Sequence, residues 1–590
     1  MGGVQIWARL REWAGIDLRT LAVFRIFLAI SVLAEVSSYL PHLEFFFSDS
    51  GVYPRADSMG SASLRWSLYY VSGHWLWALV LLVTTYLAAA ALLVGYRTRL
   101  ATLVCWVLVV SLEQRAGMLT SGADMQLKLL LFWAMFVPLG ARLSVDAGLS
   151  KQGAPQSSYA SIVTLALMVQ VACLYFFGAL LKTGATWRET HDAVYYSLHA
   201  NYINTPLASY VGNLTDLLRW LTVYVFHLEL FIVALLFFPV ATGLLRLIAL
   251  PFLISLHIGF ALFLSIGIFP LVSITGLMVF IPGLVWNFAI PRFNSRASRR
   301  GIAIFYDRDC DFCRKTCNIF CALSLPESTS VDPAQNDPEI NRILERENSW
   351  VVRDARGNYR TRWDAVAYVW RRSPLLWPLG YVFLPSLMHP LGDRLYDLIA
   401  RNRGALGRLT AVLLPERGTA AFRPHLATQA VLLLLLVGVV AWNMQNLSGP
   451  YSIARPDWFK QVFQALKLTQ HWNMFASNSP RRTIWVVIEG QRSDGSKIDL
   501  LRGGASSLER PAHGYQAFSD FRMRKFFTRV SLKRKRTILG RFFCRKWNDE
   551  GQDMALVSVT LYRFSQATPP PGGYVDNAPV QRTIHHYECS

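Results

Sequence analysis

The sequence predicts a multi-pass α-helical membrane protein with about eight plus one spans, an α/β domain after the eighth, and a mostly β extramembrane domain at its C-terminal end. Three observations predict it. Of the 590 residues, 53% are hydrophobic and only 16% charged, whereas soluble domains run near a quarter charged. Nine apolar runs approach the length of about twenty residues that a bilayer crossing takes. One polar stretch between them holds Cys310, Cys313, Cys317 and Cys321 within twelve residues.

The apolar runs fall at roughly 20–41, 73–95, 98–116, 125–141, 158–182, 218–242, 245–266 and 268–290, with a ninth at about 428–445 (AVLLLLLVGVVAW). The third and fourth are short and carry Glu113, Arg115, Asp124 and Lys128 near their ends, which fits tilted or partly re-entrant segments. Met1 to Asp17 is mixed and basic, without the apolar core and small-residue cleavage site of a signal peptide, so the first run is expected to be retained. Every second connection is basic. Arg9, Arg11 and Arg19 precede the first run, Arg97 and Arg99 follow the second, and Arg142 and Lys151 follow the fourth. Arg246 follows the sixth, and Arg292, Arg296, Arg299 and Arg300 follow the eighth. Basic connections stay in the cytoplasm. The chain therefore divides into a membrane domain (1–292), a cytoplasmic domain (300–405), a linker with the ninth span (406–446) and an outer domain (447–590) of a cell-membrane protein. Strand-like runs such as Thr483 to Glu489 and Met554 to Phe564, with the turn Asp494-Gly495, make the outer domain mostly β.

The net charge is +21. Its basic residues lie mostly between apolar runs, so membrane lipid is the expected partner and nucleic acid is not. From Arg522 to Lys546 there are eleven Lys or Arg and no Asp or Glu, interleaved with Phe526, Phe527, Phe542, Phe543 and Trp547. This block reads as a solvated β-face against lipid headgroups or a site for an acidic partner.

In FYDRDCDFCRKTC a strand delivers Asp307 and Asp309 to a turn, and Cys310 opens a helix. A helix N-terminus stabilises a thiolate. Cys313, one turn on, can resolve a mixed disulfide formed at Cys310, so the pair reads as a redox-active dithiol. A metal site is the competing reading. The four cysteines share a helix face but spread over about 16 Å at 1.5 Å per residue, so one zinc takes all four only if the helix breaks. A structural cysteine cluster is the third reading.

The segment YDRDCDFC resembles the Asp-x-x-Cys-x-x-Cys signature of the DCC family of thiol-disulfide oxidoreductases, through Asp307, Cys310 and Cys313. VVRDARGNY with Gly357, WDAVAYV with Ala365, and LYDLIARNR with Tyr396, Ala400, Arg401 and Arg403 follow in order, while Arg308 stands where a glycine is common. The resemblance covers about residues 300–405. It implies a thioredoxin-like fold and a thiol redox partner protein.

Charges inside apolar runs are costly and mark internal pairs or function. They are Arg25, Glu35, Glu113, Arg115, Asp124, Lys182, Glu229 and His257. Arg25 is expected to meet a carboxylate. Lys182, at the end of the fifth run, is either a base made reactive by desolvation or a snorkelling lysine. Several segments are similar to the HTTM domain that vitamin K-dependent gamma-carboxylases share. They are DLRTLAVFRI with Arg25, SDSGVYPR with Gly51, SGADMQLKLLLFW with Gly122 and Asp124, YFFGALLKTGATW with Lys182 and Trp187, and HIGFALFLSIGIFP with His257, Gly267 and Pro270. LTQHWNMFASNSP resembles the segment after the last span of several HTTM proteins. In the carboxylases a lysine in the segment matching Lys182 is the proposed base that deprotonates vitamin K hydroquinone. The resemblance puts Lys182 in that role and implies a pocket for a quinol or lipid-like substrate, such as a vitamin K-type hydroquinone or menaquinol. The carboxylases commonly have two adjacent lysines where this chain has Leu181-Lys182.

Two function classes follow. One is an enzyme: a thiol-disulfide oxidoreductase with carboxylase-like (lyase) chemistry in its membrane part. The other is a membrane scaffold or transport-related protein with a redox-sensing domain.

Overall fold

The computed structural model describes residues 12–59, 66–150, 157–294, 302–324, 329–354, 356–373, 380–381, 388–416, 425–447, 455–477, 479–511, 518, 520–529, 533–550, 554–573 and 578–589. Arg9, Arg11, Lys151, Arg296, Arg299 and Arg300 lie outside them.

Among the described residues, six helices are long and apolar enough to cross a membrane. They are Leu18–Phe47, Trp75–Val94, Ile162–Leu180, Thr215–Leu236, Thr242–Phe263 and Leu426–Met444. The pair Phe269–Phe280 and Gly283–Arg292, bent by 87°, is either a broken seventh span or a re-entrant loop. The bend falls at Pro282, which has no amide to continue the helix. The sequence suggested two further crossings. Thr98–Arg115 is a helix, but it carries Arg99, Glu113 and Arg115. Gly122–Ala134 has 13 residues, about 20 Å of helix against a hydrocarbon core of about 30 Å. Most of Gly122–Ala134 is buried in the bundle, and Thr98–Arg115 packs on it through one face while Leu100 and Leu103 on the other are exposed.

The helix ends are set locally. Asp17 accepts from the Arg19 amide at 2.8 Å, and Ser121 and Ser161 form capping boxes with Asp124 and Thr164. Gly95 ends Trp75–Val94 at φ +73°, and a Cβ there would stand 2.3 Å from Ser144 Cβ. That close approach admits Arg25. The expected carboxylate partner is replaced by backbone. Arg25, fully buried, donates through Nη1 to Leu139 O and Arg142 O at 3.1 and 3.2 Å, and through Nη2 to Leu93 O and Leu143 O. It satisfies carbonyls that the Trp75–Val94 helix and the 139–143 connection leave open.

The second unit is a four-stranded sheet in the order Ser330–Pro333, Ala303–Tyr306, Val351–Arg353, Tyr359–Thr361, the first pair parallel and the others antiparallel. Its alternation fills two cores. Ile302, Ile304 and Val352 pack with Cys317, Ala365, Tyr368 and Val369 of the helices Asp311–Ser324 and Arg362–Arg372. Ala303, Phe305 and Val351 pack with Ile340 and Leu344 of Pro338–Glu347 on the other face.

The third unit is an antiparallel sheet in the order Val580–Glu588, Leu556–Ala567, Arg482–Arg492, Lys497–Asp499, with Asp494-Gly495 at the predicted turn. The basic block is not a β-face. It forms the helices Phe521–Arg529 and Lys533–Asp549, whose Phe526, Phe527, Phe542 and Phe543 fill the core between sheet and bundle. Cys544 is disulfide-bonded to Cys589 and ties the second helix to the last strand. Nor is the block wholly solvated. Arg522 is buried, donating to Glu35 Oε1 at 2.7 Å, to Asp124 Oδ1 and Leu119 O at 3.0 Å each, and to Ser38 Oγ at 3.0 Å. Its guanidinium lies 4.0 Å from the Tyr39 ring centroid.

The two extramembrane units meet opposite ends of the bundle. Asp311–Ser324 packs on Val145–Gly148, so closely that a Cβ on Gly148 would stand 2.5 Å from Ile319 Cα. The Tyr96 hydroxyl donates to Leu413 O at 2.6 Å. The third unit instead meets the far end of the first helix, through Arg522, through Arg529 to Met118 O, and through Arg545 to Ser50 O.

Removing one partner of a buried charge group costs about 3–5 kcal/mol. Arg522→Gln is therefore expected to destabilise the detergent-solubilised protein by that order. Arg541→Gln, exposed in the same basic block, changes stability by less than about 0.5 kcal/mol. Thermal unfolding of the two variants beside the wild type checks this.

Candidate functional site

Two sites take shape, one at each end of the bundle. The first follows the strand Ala303–Tyr306. The chain turns at Asp307 and enters the helix Asp311–Ser324 with Cys310 just before its first residue. Cys310 and Cys313 are disulfide-bonded, both half-buried, and the Cys313 amide points at Cys310 Sγ across 3.2 Å. That amide is one of the free donors of a helix start, so it favours negative charge on the sulfur once the bond is reduced.

Asp307 shapes this turn. Its Oδ1 accepts from the Asp309 amide at 3.1 Å and from Gln335 Nε2 at 2.9 Å, while Gln335 Oε1 accepts from the Arg308 amide. Asp309 is exposed. Asp311 is held below the usual carboxylate range by its bond to Lys315, with Arg314 adding to it. Cys317 is buried and Cys321 half-buried. Burial pushes the Cys317 thiol up, and the Cys321 thiol up to about 11. Neither is a ready thiolate near neutral pH, whereas Cys310 and Cys313 share the helix start.

The second site lies where the Ile162–Leu180 helix ends. Tyr175, Gly178 and Lys182 share one face by their spacing. Lys182 is buried, ion-paired to Glu229 of Thr215–Leu236, with its ammonium 5.0 Å from the Trp187 ring centroid. Gly178 faces that carboxylate, and a Cβ there would meet Glu229 Oε2 at an ordinary contact distance of 3.7 Å. About two turns deeper on the same helix, the Tyr175 hydroxyl and His257 Nε2 are 2.8 Å apart. His257 Nδ1 is buried with no hydrogen-bond partner among the described residues. The chain beyond the last crossing closes this end: the Trp187 indole donates to Phe475 O at 2.7 Å, and the Ser477 amide to Leu181 O at 3.0 Å.

The family model for the HTTM domain matches residues 13–283, and the one for DCC1-like thiol-disulfide oxidoreductases matches residues 304–409. The chain joins an HTTM domain to a DCC1-like domain. No curated protein and no solved structure matches it.

The structure sorts the candidate residues between these domains. In the DCC1-like domain, Asp307, Cys310 and Cys313 share one turn. In the HTTM domain, Lys182 and Trp187 are in contact, and His257 is bound to the Lys182 helix through Tyr175. Arg25 and Asp124 do not join them. Arg25 serves the carbonyls near the DCC1-like end, and Asp124 binds Ser121, Tyr39 and Arg522. Glu113 pairs with Lys128 at 2.7 Å, and Arg115 donates to Tyr53 O at 2.6 Å. Glu229 stood out in the sequence as an intramembrane charge but not as the partner of Lys182. Tyr175 carried no signal beyond its place on the Lys182 face.

The Lys182–Glu229 pair makes a thermodynamic cycle. Glu229→Leu leaves a buried ammonium unpaired, Lys182→Met leaves a buried carboxylate unpaired, and each is expected to cost about 3–5 kcal/mol. Replacing both ends, as Lys182→Met with Glu229→Leu, recovers most of that loss. A double-mutant cycle on unfolding in detergent reads the difference.

Proposed function

We propose that this chain is a membrane-bound thiol-disulfide oxidoreductase acting through Cys310 and Cys313. The Cys313 amide on Cys310 Sγ at a helix start carries the reading. In the reduced state the Cys310 thiolate attacks a disulfide of a partner protein and forms a mixed disulfide, releasing one partner sulfur as thiolate. Cys313 then attacks Cys310 Sγ, expels the second partner sulfur, and leaves the partner a dithiol and this chain oxidised. Arg308 and Asp309, exposed beside the pair, offer the partner a polar approach.

We further propose that the DCC1-like domain is cytoplasmic and the C-terminal domain lies on the outer face of the cell membrane. Arg19, Arg97, Arg246 and Arg292 belong to the bundle end that the DCC1-like domain meets. The Cys544–Cys589 disulfide belongs to the other end, and such bonds persist in oxidising compartments.

For the HTTM domain the reading is a site for a quinol or lipid-like substrate, with Lys182 as base. Neutral Lys182 would take a hydroxyl proton from the substrate, and the ammonium so formed would rest against Glu229 and the Trp187 face. The ion pair corresponds to that protonated state.

The two activities separate by mutation. Cys310→Ser is expected to abolish reduction of a model protein disulfide by the reduced full-length protein in detergent, while Lys182→Met leaves it unchanged. With a vitamin K-type hydroquinone supplied and dissolved dioxygen as the electron acceptor, Lys182→Met is expected to slow hydroquinone oxidation by about 10²-fold or more. Equal rates in wild type and Lys182→Met would leave the HTTM domain as scaffold and the DCC1-like domain as its redox sensor. For sidedness, a membrane-impermeant maleimide applied to intact cells after reduction is expected to label Cys589, half-buried after the last strand. Cys310 and Cys313 are labelled only once the membrane is opened.

A further inference from the structure

The helices His389–Arg401 and Arg403–Leu413 close the DCC1-like domain and present two different faces. The inner face packs on the thioredoxin-like core. Gly392 lies so close to Trp363 that a Cβ would stand 2.3 Å from its ring. The Trp350 amide donates to the Tyr396 hydroxyl at 3.2 Å, Asp397 is ion-paired to Arg362, and Gly407 faces Phe312.

The outer face runs through Leu391, Leu395, Leu398, Ala405, Leu409 and Val412, each of them exposed. Leu391 and Leu398 are 60% exposed and Val412 73%. The spacing of three and four continues across the break at Asn402, so the two helices share one apolar stripe. Beside it stand Arg394, Arg401 and Arg408, all exposed and seven residues apart. A soluble domain seldom leaves such a stripe in water.

Its surroundings name the occupant. Leu413, the last residue of the stripe's second helix, accepts a hydrogen bond from Tyr96, two residues beyond the end of Trp75–Val94. That helix is a membrane crossing with Leu87 and Val94 exposed on its flank. The next crossing begins at Leu426. The Leu413 end of the stripe therefore sits where the bundle leaves the hydrocarbon, and arginines flanking an apolar helix face suit anionic headgroups.

We propose that His389–Arg401 and Arg403–Leu413 form an interfacial anchor. Their leucine face lies in the headgroup–acyl boundary of an anionic bilayer, and Arg394, Arg401 and Arg408 bind its phosphates. The anchor holds the domain, and with it the Asp311–Ser324 helix that carries the cysteine pair, flat against the membrane. Pro338–Glu347, on the opposite sheet face, then points to water.

Photocrosslinking of the full-length protein tests this. Benzoyl-phenylalanine is placed at Leu398, Val412 or Glu345, and the protein is reconstituted into vesicles of phosphatidylcholine with phosphatidylglycerol. Lipid adducts identified by mass spectrometry are expected at Leu398 and Val412 and not at Glu345, which is exposed on Pro338–Glu347. The triple variant Arg394→Gln, Arg401→Gln, Arg408→Gln is expected to lower the Leu398 adduct by at least about fivefold, the effect of losing one such surface contact. Vesicles of phosphatidylcholine alone should lower it similarly for the unmodified arginines. Adducts to protein, whether to a second copy or to another part of this chain, would overturn the proposal. So would equal lipid yields at Leu398 and Glu345. A triple variant that crosslinks to lipid as well as the parent would overturn the part assigned to the arginines.

Discussion

A charge placed inside an apolar bundle has to be met by the protein itself, because lipid offers it nothing. Two buried arginines answer this constraint on the first helix. Arg25, near its start, gathers four carbonyls from the neighbouring helix end and the 139–143 connection. At the far end Glu35, Ser38 and Tyr39 receive Arg522, which arrives from the C-terminal domain. The arrangement organises the rest. One end is tightened around Gly95 and Ser144, next to the Val145–Gly148 turn that the DCC1-like domain meets. The other end is locked to the helices of the C-terminal domain and places Asp124, Leu119 and Met118 against them.

What was legible in the sequence was local. The strand, turn and helix around Cys310 follow from a dozen contiguous residues, and the two family resemblances rest on segments of similar length. Pairing was not legible. Glu229 is 47 residues from Lys182, and Arg522 is 487 from Glu35. Arg25 binds carbonyls, which every residue has, so no side-chain pattern could announce its partners. The basic block misled for a related reason. Composition counts charges without knowing which helix face is covered, and Arg522 looks like Arg541 until the neighbour is present. The interleaved aromatics, among them Phe526 and Phe527, pack as the inner side of helices wedged under a sheet.

The chain contains two disulfides in different settings. Cys310–Cys313 is half-buried at a helix start, next to exposed polar residues. Cys544 is buried among the phenylalanines of the C-terminal domain's core, and its bond to Cys589 pins a helix to the last strand. Access, more than the bond itself, separates an exchangeable sulfur pair from a structural one. Cys317 and Cys321 stand between these cases: they lie on the redox helix, but burial keeps them as thiols within the sheet's own core.

The segment at 470–477 gives the domain order a meaning of its own. Gln470 exchanges hydrogen bonds with Gln170, and Trp187 donates to Phe475 O, across some three hundred residues of sequence. The last crossing, Leu426–Met444, packs against Ile162–Leu180. The redox domain is thus an insertion within the membrane architecture and not an appendage to it. During synthesis the bundle stays open beside Lys182 until the ribosome has passed through the whole thiol domain and one further crossing. A half-chain cut after the eighth apolar run would be an unfinished vessel.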